Sequence, residues 1–220
     1  MSSSTLNTLS WEEALQQIIA WNDIRGDLNV VTNTFFPGEG DSFLIGPDFD
    51  HEQFKGDAHA YFGVIMDPVK GTPQQFNLLF IPEEQDSPDY EEPYIYCAPF
   101  QPNLTEARGE GSEDVLALEE RWASHGQHWL EEVVNHGEGL TQVSQVPQYD
   151  INTKFNSTHE LFIYLGLHNH PNPHKRLCLL FYDAGSGTFY NLDGADFTTP
   201  KPPFGTSKAD YGLVEAIPEN

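Results

Sequence analysis

The chain has 220 residues, of which 34 are acidic and 10 are basic, so its formal net charge is −24 with histidine counted as neutral. A charge of this sign repels nucleic-acid phosphates and anionic lipid surfaces, so we expect neither nucleic acid nor a membrane as a partner. The 15 phenylalanines, 9 tyrosines and 4 tryptophans exclude a disordered chain, because disorder goes with few aromatic residues.

The first predicted element is a helix that begins after Ser10. Ser10 and Glu13 have the spacing of a capping box, which satisfies two backbone amides at the start of a helix. Arg25 and Gly26 are typical of a helix end. The apolar residues between these signals recur at the 3.6-residue helical period; they are Trp11, Ala14, Leu15, Ile18, Ile19 and Trp21.

The rest of the first half is predicted to form strands and turns. Its apolar and β-branched runs are bounded by glycine and proline, which favours strands of a mixed protein. The predicted strands are residues 28–36, 42–46, 59–67, 74–82 and 93–100. The stretch "PEEQDSPDYEEP" at 82–93 lies between two of them and is predicted to be an acidic loop.

The second half begins with a predicted helix over residues 112–136. Its apolar side carries Val115, Leu118, Trp122, Trp129 and Val133. Three predicted strands follow: residues 160–168, 176–184 and 188–194. The first of these is apolar on both sides, with leucine and isoleucine at odd positions and Phe162 and Tyr164 at even ones, which predicts a sheet covered on two faces.

These elements predict an α+β fold in which hairpins form antiparallel sheet and two main helices pack on it. The order of elements is similar in residues 1–105 and 106–220, each stretch having a helix followed by strands. Two alternatives remain open at this point. The chain forms two similar αββββ halves, or it forms one continuous domain.

Three histidines, His168, His170 and His174, lie in the predicted turn between two strands. The sequence "NHPNPH" contains two prolines, which favour turn geometry, and exposed turn histidines are our preferred interpretation. The alternative is a divalent metal site, with zinc as the candidate, because a His-x-His-x3-His pattern supplies three nitrogen ligands.

A second set of ligand-type side chains lies on the predicted long helix. His125, His128, Glu132 and His136 are spaced by three or four residues, so they share one face of the helix. Such stripes are usually solvated, and metal binding at His125, His128 and Glu132 is a weaker alternative. If the histidine turn packed beside this helix, the two sets would meet.

The sequence predicts a cytoplasmic location. The first residues lack the basic and apolar regions of a secretory signal, and no apolar run approaches the ~18 residues needed to cross a bilayer. Cys97 and Cys178 lie in apolar strand-like segments, and two cysteines form no disulfide framework. We expect both to be buried free thiols.

The chain contains no nucleophile elbow and no phosphate-binding loop, so no catalytic residue is predicted. The charge of −24 and acidic loops such as 82–93 favour a non-catalytic binding module for a basic protein partner, acting as an inhibitor, a chaperone-like escort or a neutraliser. No cofactor is expected under this hypothesis. The alternative function is that of a metal-binding protein or a metal-dependent hydrolase that uses His168, His170 and His174.

Overall fold

A computed structural model describes residues 7–35, 42–101, 113–135, 140–148, 151, 160–190, 199–201 and 211–217. In these residues ten strands form one antiparallel sheet, and four α-helices accompany it. The strands are β1 (Thr8–Leu9), β2 (Ser42–Ile45), β3 (Ala58–Met66), β4 (Pro73–Pro82), β5 (Ile95–Gln101), β6 (Val143–Val146), β7 (Leu161–Leu167), β8 (Leu177–Asp183), β9 (Thr188–Phe189) and β10 (Thr199–Lys201). The helices are α1 (Trp11–Ile24), α2 (Leu28–Phe35), α3 (Glu113–Asn135) and α4 (Gly212–Glu215). The predicted α+β fold is confirmed.

The strands follow the order β10-β6-β3-β4-β5-β2-β7-β8-β9, with β1 paired to β5 beside this path. Strands from the first 105 residues occupy the middle of the sheet, and strands from later in the chain extend it on both sides. The two stretches therefore share one hydrogen-bonded sheet. A duplication of two αββββ halves stays a prediction.

Helix α1 forms as the sequence predicts. The side chain of Ser10 accepts a hydrogen bond from the amide of Glu13 at 3.3 Å, and the Glu13 carboxylate accepts one from the amide of Ser10 at 2.9 Å. The helix then buries Ala14, Ile18 and Trp21 against the sheet. A capping box and a continuous apolar side together fix where this helix starts and which side faces inward.

Residues 28–36 were predicted to be a strand, and this prediction is wrong, because the segment forms helix α2. The carboxylate of Asp27 accepts hydrogen bonds from the amides of Asn29 at 3.0 Å and Val30 at 3.2 Å, which caps a helix rather than continuing a strand. Val31 is fully buried in the main core. The cap and the burial of one helix side outweigh the preference of valine and threonine for strands.

Of the predicted strands, 59–67 and 74–82 form one antiparallel hairpin, and 160–168 and 176–184 form another. Strand β3 pairs with β4 from Ala58↔Pro82 to Met66↔Pro73, and β7 pairs with β8 from Leu161↔Asp183 to Leu167↔Leu177. The β7 strand separates its residues between two clusters as predicted. The odd residues join the main core, while Phe162 joins a second cluster with Val115 and Leu118 of α3.

The sheet is covered on both faces over β3 to β5. On one face Tyr61, Leu79 and Ile95 pack with residues of α1. On the other face the sheet contributes to the main core, where it meets Trp129 and Val133 of α3. Helix α3 closely matches the predicted range 112–136. The prediction of two main helices packed on the sheet is therefore confirmed.

Strand β6 was not predicted, because "VSQV" is too short and too polar to stand out as a strand. It pairs with β3 and extends the sheet on that side. Among the described helices, none combines the length and apolar character that crossing a membrane requires. Cys97 and Cys178 are free thiols as predicted, Cys178 buried and Cys97 half-buried.

Candidate functional site

Two acidic loops connect strands at one end of the sheet. Loop A, residues 46–57, joins β2 to β3, and loop B, residues 83–94, joins β4 to β5. Together they contain 10 of the 34 acidic residues and one of the 10 basic residues, Lys55. We call the surface formed by loops A and B the acidic face.

The two loops are joined directly by their backbones. The amide of Glu83 in loop B donates a hydrogen bond of 3.0 Å to the carbonyl oxygen of Asp57 in loop A. The amide of Asp50 donates one of 2.9 Å to the hydroxyl oxygen of Tyr94, at the end of loop B. Residues 26 and 44 positions apart in sequence are therefore held in a fixed relation.

Buried aromatic side chains fix the shape of loop A. Phe49 and Phe54 are stacked with their ring centroids 5.1 Å apart and are almost fully buried. The ring of Tyr94 meets both of them edge-on, at 6.4 and 5.7 Å, and Tyr96 meets Phe49 at 4.9 Å. Burial raises the pKa of Tyr94 to about 12, so its hydroxyl keeps its proton even at alkaline pH.

Four of the ten carboxylates of the acidic face are used inside the protein. Asp48 accepts hydrogen bonds from the Asn7 amide at 3.0 Å and the Tyr96 hydroxyl at 3.1 Å. Asp50 caps a short 3-10 turn. Asp57 accepts one hydrogen bond from the backbone amide of Gln148 and another from the side-chain amide of Gln145. The fourth, Asp86, is buried.

The other six carboxylates are exposed to solvent; they belong to Glu52, Glu83, Glu84, Asp89, Glu91 and Glu92. Tyr90 lies in sequence between three of them, and 44% of its surface is exposed. Lys55 is the one lysine or arginine in these loops. The face therefore presents a concentrated negative charge with an accessible aromatic ring, on a framework held by buried contacts.

Asp86 is the centre of a buried polar network beneath loop B. Its Oδ2 atom accepts a hydrogen bond from Nδ1 of His59 at 2.6 Å and another from the hydroxyl of Tyr61. Its Oδ1 atom accepts from the amide of Leu213 at 3.2 Å. Burial, followed by the charge of Asp86, raises the pKa of Tyr61 well above its ordinary value.

The His59–Asp86 pair has the geometry of the base and orienting group of a hydrolase, but it differs from such a pair because it is shielded from solvent. The side chain of His59 is 3% exposed and that of Asp86 is 0% exposed, so no substrate in solution reaches them. A sealed pair of this kind supports the fold. Sequence reasoning missed the pair, because nothing distinguishes Asp86 from the five other acids in its loop.

The structure places the three predicted metal ligands in a turn between β7 and β8, as the prolines indicate. His174 is buried rather than exposed, with 9% of its surface accessible, and His168 and His170 are half-buried. The amide of Asn172 donates to Nδ1 of His170 at 3.0 Å. Burial, with the charges of Arg121 and His170, lowers the pKa of His168.

The turn does pack beside α3, where the second set of candidate ligands lies. The indole of Trp129 donates to the carbonyl oxygen of Pro173 at 2.7 Å, and Arg176 pairs with the Glu132 carboxylate at 2.7 Å. Glu132 is thus occupied by a cation from the protein itself. His125 and His128 are exposed on the helix surface.

His136 lies outside the described residues. Across the described ranges, no group of three or more histidine, cysteine, aspartate or glutamate side chains is placed to hold a metal ion. Metal binding by His168, His170 and His174, or by His125, His128 and Glu132, stays a prediction.

A scan against models of protein families, a search of curated proteins and a search of solved structures each gave no match to this chain.

Proposed function

We propose that the protein is a non-catalytic binding module whose acidic face engages a basic protein partner, as an inhibitor, a chaperone-like escort or a neutraliser. The observation that carries this proposal is the hydrogen bond from Glu83 to Asp57, which joins loop A to loop B, because these two loops together carry six exposed carboxylates. A cluster of one sign attracts a partner of the opposite sign and steers its approach.

The rigidity of the face supports the same function. A binding loop that is already ordered loses less conformational entropy on association than a flexible one. Loop A is held by the rings of Phe49, Phe54 and Tyr94, and loop B is held by the buried carboxylate of Asp86. The exposed carboxylates therefore stand on a surface that does not need to be ordered by the partner.

The location that accompanies this proposal is the cytoplasm. Cys97 and Cys178 are both free, and burial raises the pKa of the Cys97 thiol to about 12. Unpaired cysteines suit a reducing compartment, where thiols are kept reduced.

The experiment compares two variants of equal net charge, with a lysine- and arginine-rich peptide as the probe. The face variant carries Glu83→Gln, Glu84→Gln, Glu91→Gln and Glu92→Gln. The control variant neutralises four acids that lie on α3 or at the C-terminal end of α1, by Asp23→Asn, Asp27→Asn, Glu120→Gln and Glu131→Gln. Both variants have a net charge of −24 + 4 = −20.

We expect the face variant to bind the peptide about tenfold more weakly than the wild type, because four exposed carboxylates contributing ~0.4 kcal/mol each exceed the 1.4 kcal/mol of a tenfold change. The control variant should lose about twofold or less, since its charges lie away from the contact. Equal losses in the two variants would show that net charge alone governs binding. Equal losses, or an absence of measurable peptide binding, contradict the proposal.

A further inference from the structure

A short segment late in the chain, Tyr211–Ile217, docks against the base of the acidic face. It contains helix α4, and it buries Leu213 completely and Val214 to 5% exposure. These side chains pack with Ala14 and Ile18 of α1, in the cluster on the sheet face that α1 covers. Burial of this apolar surface holds the segment on the protein.

The segment is hydrogen-bonded to loop B through Asp86. The amide of Leu213 donates to Oδ1 of Asp86, whose other oxygen accepts from His59 and Tyr61. The ring of Tyr211 lies against that of His59, with the ring centroids 4.8 Å apart. The carboxylate of Asp86 therefore connects the core of the sheet, loop B and the segment.

The backbones of the two segments are also in close contact. A Cβ atom added to Gly212 would collide with the carbonyl oxygen of Asp86 and would lie 2.8 Å from the Cα of Ser87. Only glycine leaves room for this approach. Any displacement of the segment consequently changes the surroundings of the turn that begins loop B.

We infer that residues 211–217 are a clamp that holds loop B in shape, with Asp86 as the positioning residue that links the two. When the clamp leaves, Asp86 loses one of its three hydrogen-bond donors, and its buried carboxylate is no longer fully satisfied. The turn from Glu83 to Ser87 then opens with the clamp as one cooperative unit. The consequence for partner binding rests on the function proposed for the acidic face.

Native-state hydrogen exchange on the unaltered protein tests the clamp without any partner. The amides of Glu215 and Ala216 report on the clamp, through their bonds to Tyr211 and Gly212. The amides of Asp86, Ser87 and Tyr90 report on loop B, through bonds within the loop.

We expect the two groups of amides to exchange with the same opening free energy and the same dependence on denaturant. Exchange of the clamp amides at a clearly lower free energy than those of loop B would show that the clamp frays independently, and it would overturn the inference.

A glycine variant provides the second test. Gly212→Ala adds a Cβ that collides with the backbone of Asp86 and Ser87, so the clamp and loop B are forced apart while the sequence of loop B and the net charge stay unchanged. Gly26→Ala is its control, because nothing lies within 4 Å of a Cβ added there. Loop B amides should exchange faster in Gly212→Ala by on the order of tenfold, the effect of losing one hydrogen bond to a charged group. In Gly26→Ala they should be unchanged.

The binding assay separates the clamp from the acidic face. If loop B exchanges faster in Gly212→Ala and the basic peptide binds more weakly, both proposals stand. Faster exchange with unchanged affinity keeps the clamp, because a tenfold rise in a rare opening hardly lowers the closed population, and the face variant then tests the acidic face by itself. Unchanged exchange in a folded Gly212→Ala protein contradicts the clamp whatever the affinity. If this variant does not fold, the exchange pattern of the unaltered protein decides.

Discussion

The amide of Glu83 donates a hydrogen bond of 3.0 Å to the carbonyl oxygen of Asp57, and this bond joins loop B to loop A. Each loop alone is an acidic connection between two strands that follow one another along the chain. Joined, they place exposed carboxylates from two parts of the chain on one surface. The predictions that follow concern the groups that hold this surface, the second contact region at the histidine turn, and the binding itself.

Replacing Asp57 by alanine should destabilise the fold by about 1–3 kcal/mol, because two half-buried donors lose their acceptor. These donors are the amide of Gln148 and the side-chain amide of Gln145, each 2.9 Å from the carboxylate. Urea unfolding measures the effect. Glu52→Ala, at an exposed position of the same loop, should change stability by less than about 0.5 kcal/mol. Equal effects of the two substitutions would contradict the internal role of Asp57.

As the pH rises into the alkaline range, the unfolding free energy of the wild type should fall more steeply than that of the Tyr94→Phe variant. Burial raises the pKa of Tyr94 in the folded state to about 12, whereas in the unfolded chain it is about 10. Between these two values the folded state keeps the Tyr94 proton, whereas the unfolded state loses it. The stabilisation that the protonated hydroxyl provides is complete below pH ~10 and disappears as the pH rises to about 12.

Urea unfolding of the wild type and of Tyr94→Phe across this range checks the sign. The other tyrosines titrate in both proteins and cancel in the comparison. The difference in unfolding free energy between the two should shrink as the pH rises. A constant difference would show that Tyr94 is not protected from ionisation in the folded state.

Trp129→Phe should destabilise the protein by about 2–4 kcal/mol, since it removes buried volume and one of the two hydrogen bonds that the carbonyl oxygen of Pro173 accepts. Trp129 is 2% exposed, and its indole nitrogen lies 2.7 Å from the carbonyl oxygen of Pro173 in the histidine turn. His128→Ala, on the exposed side of the same helix, serves as the control and should have little effect. A small loss for Trp129→Phe would mean that the turn is not anchored through this contact.

Elemental analysis of untagged protein tests the metal alternative. Because Glu132 is paired with Arg176 and the Nδ1 atom of His170 accepts from the turn's own backbone, we expect less than one equivalent of any divalent metal. A stoichiometric metal that is lost in a His168→Ala/His170→Ala variant would contradict this expectation. It would make metal binding the leading function.

Local signals were sufficient for the parts of the fold that depend on neighbouring residues. The capping box of Ser10 and Glu13 predicts the start of α1, and the two-sided apolar pattern of residues 160–168 predicts a strand covered on both faces. Both features arise from short-range spacing, which a sequence shows directly. The valines and threonines of α2 favour a strand, and the prediction of a strand was wrong because the cap at Asp27 and the burial of Val31 stabilise a helix instead.

The candidate site was only half predictable. The acidic character of residues 82–93 is visible in the sequence, but the bond between Glu83 and Asp57 depends on how β3 and β4 pair. The role of Asp86 depends on Leu213, which is 127 residues away along the chain. Contacts of this range leave no local pattern, so the joined surface and its clamp become visible only in three dimensions.

Mapping the contact surface of the basic peptide by NMR tests the central claim most directly. Titration of the peptide into isotopically labelled wild-type protein should shift the amide signals of loops A and B most strongly, including those of Glu84, Tyr90 and Glu91. The shifts should fade as salt is added, because exposed charges are screened beyond about 8 Å at physiological ionic strength. Shifts centred on the exposed side of α3, or spread evenly over the surface, would contradict the account.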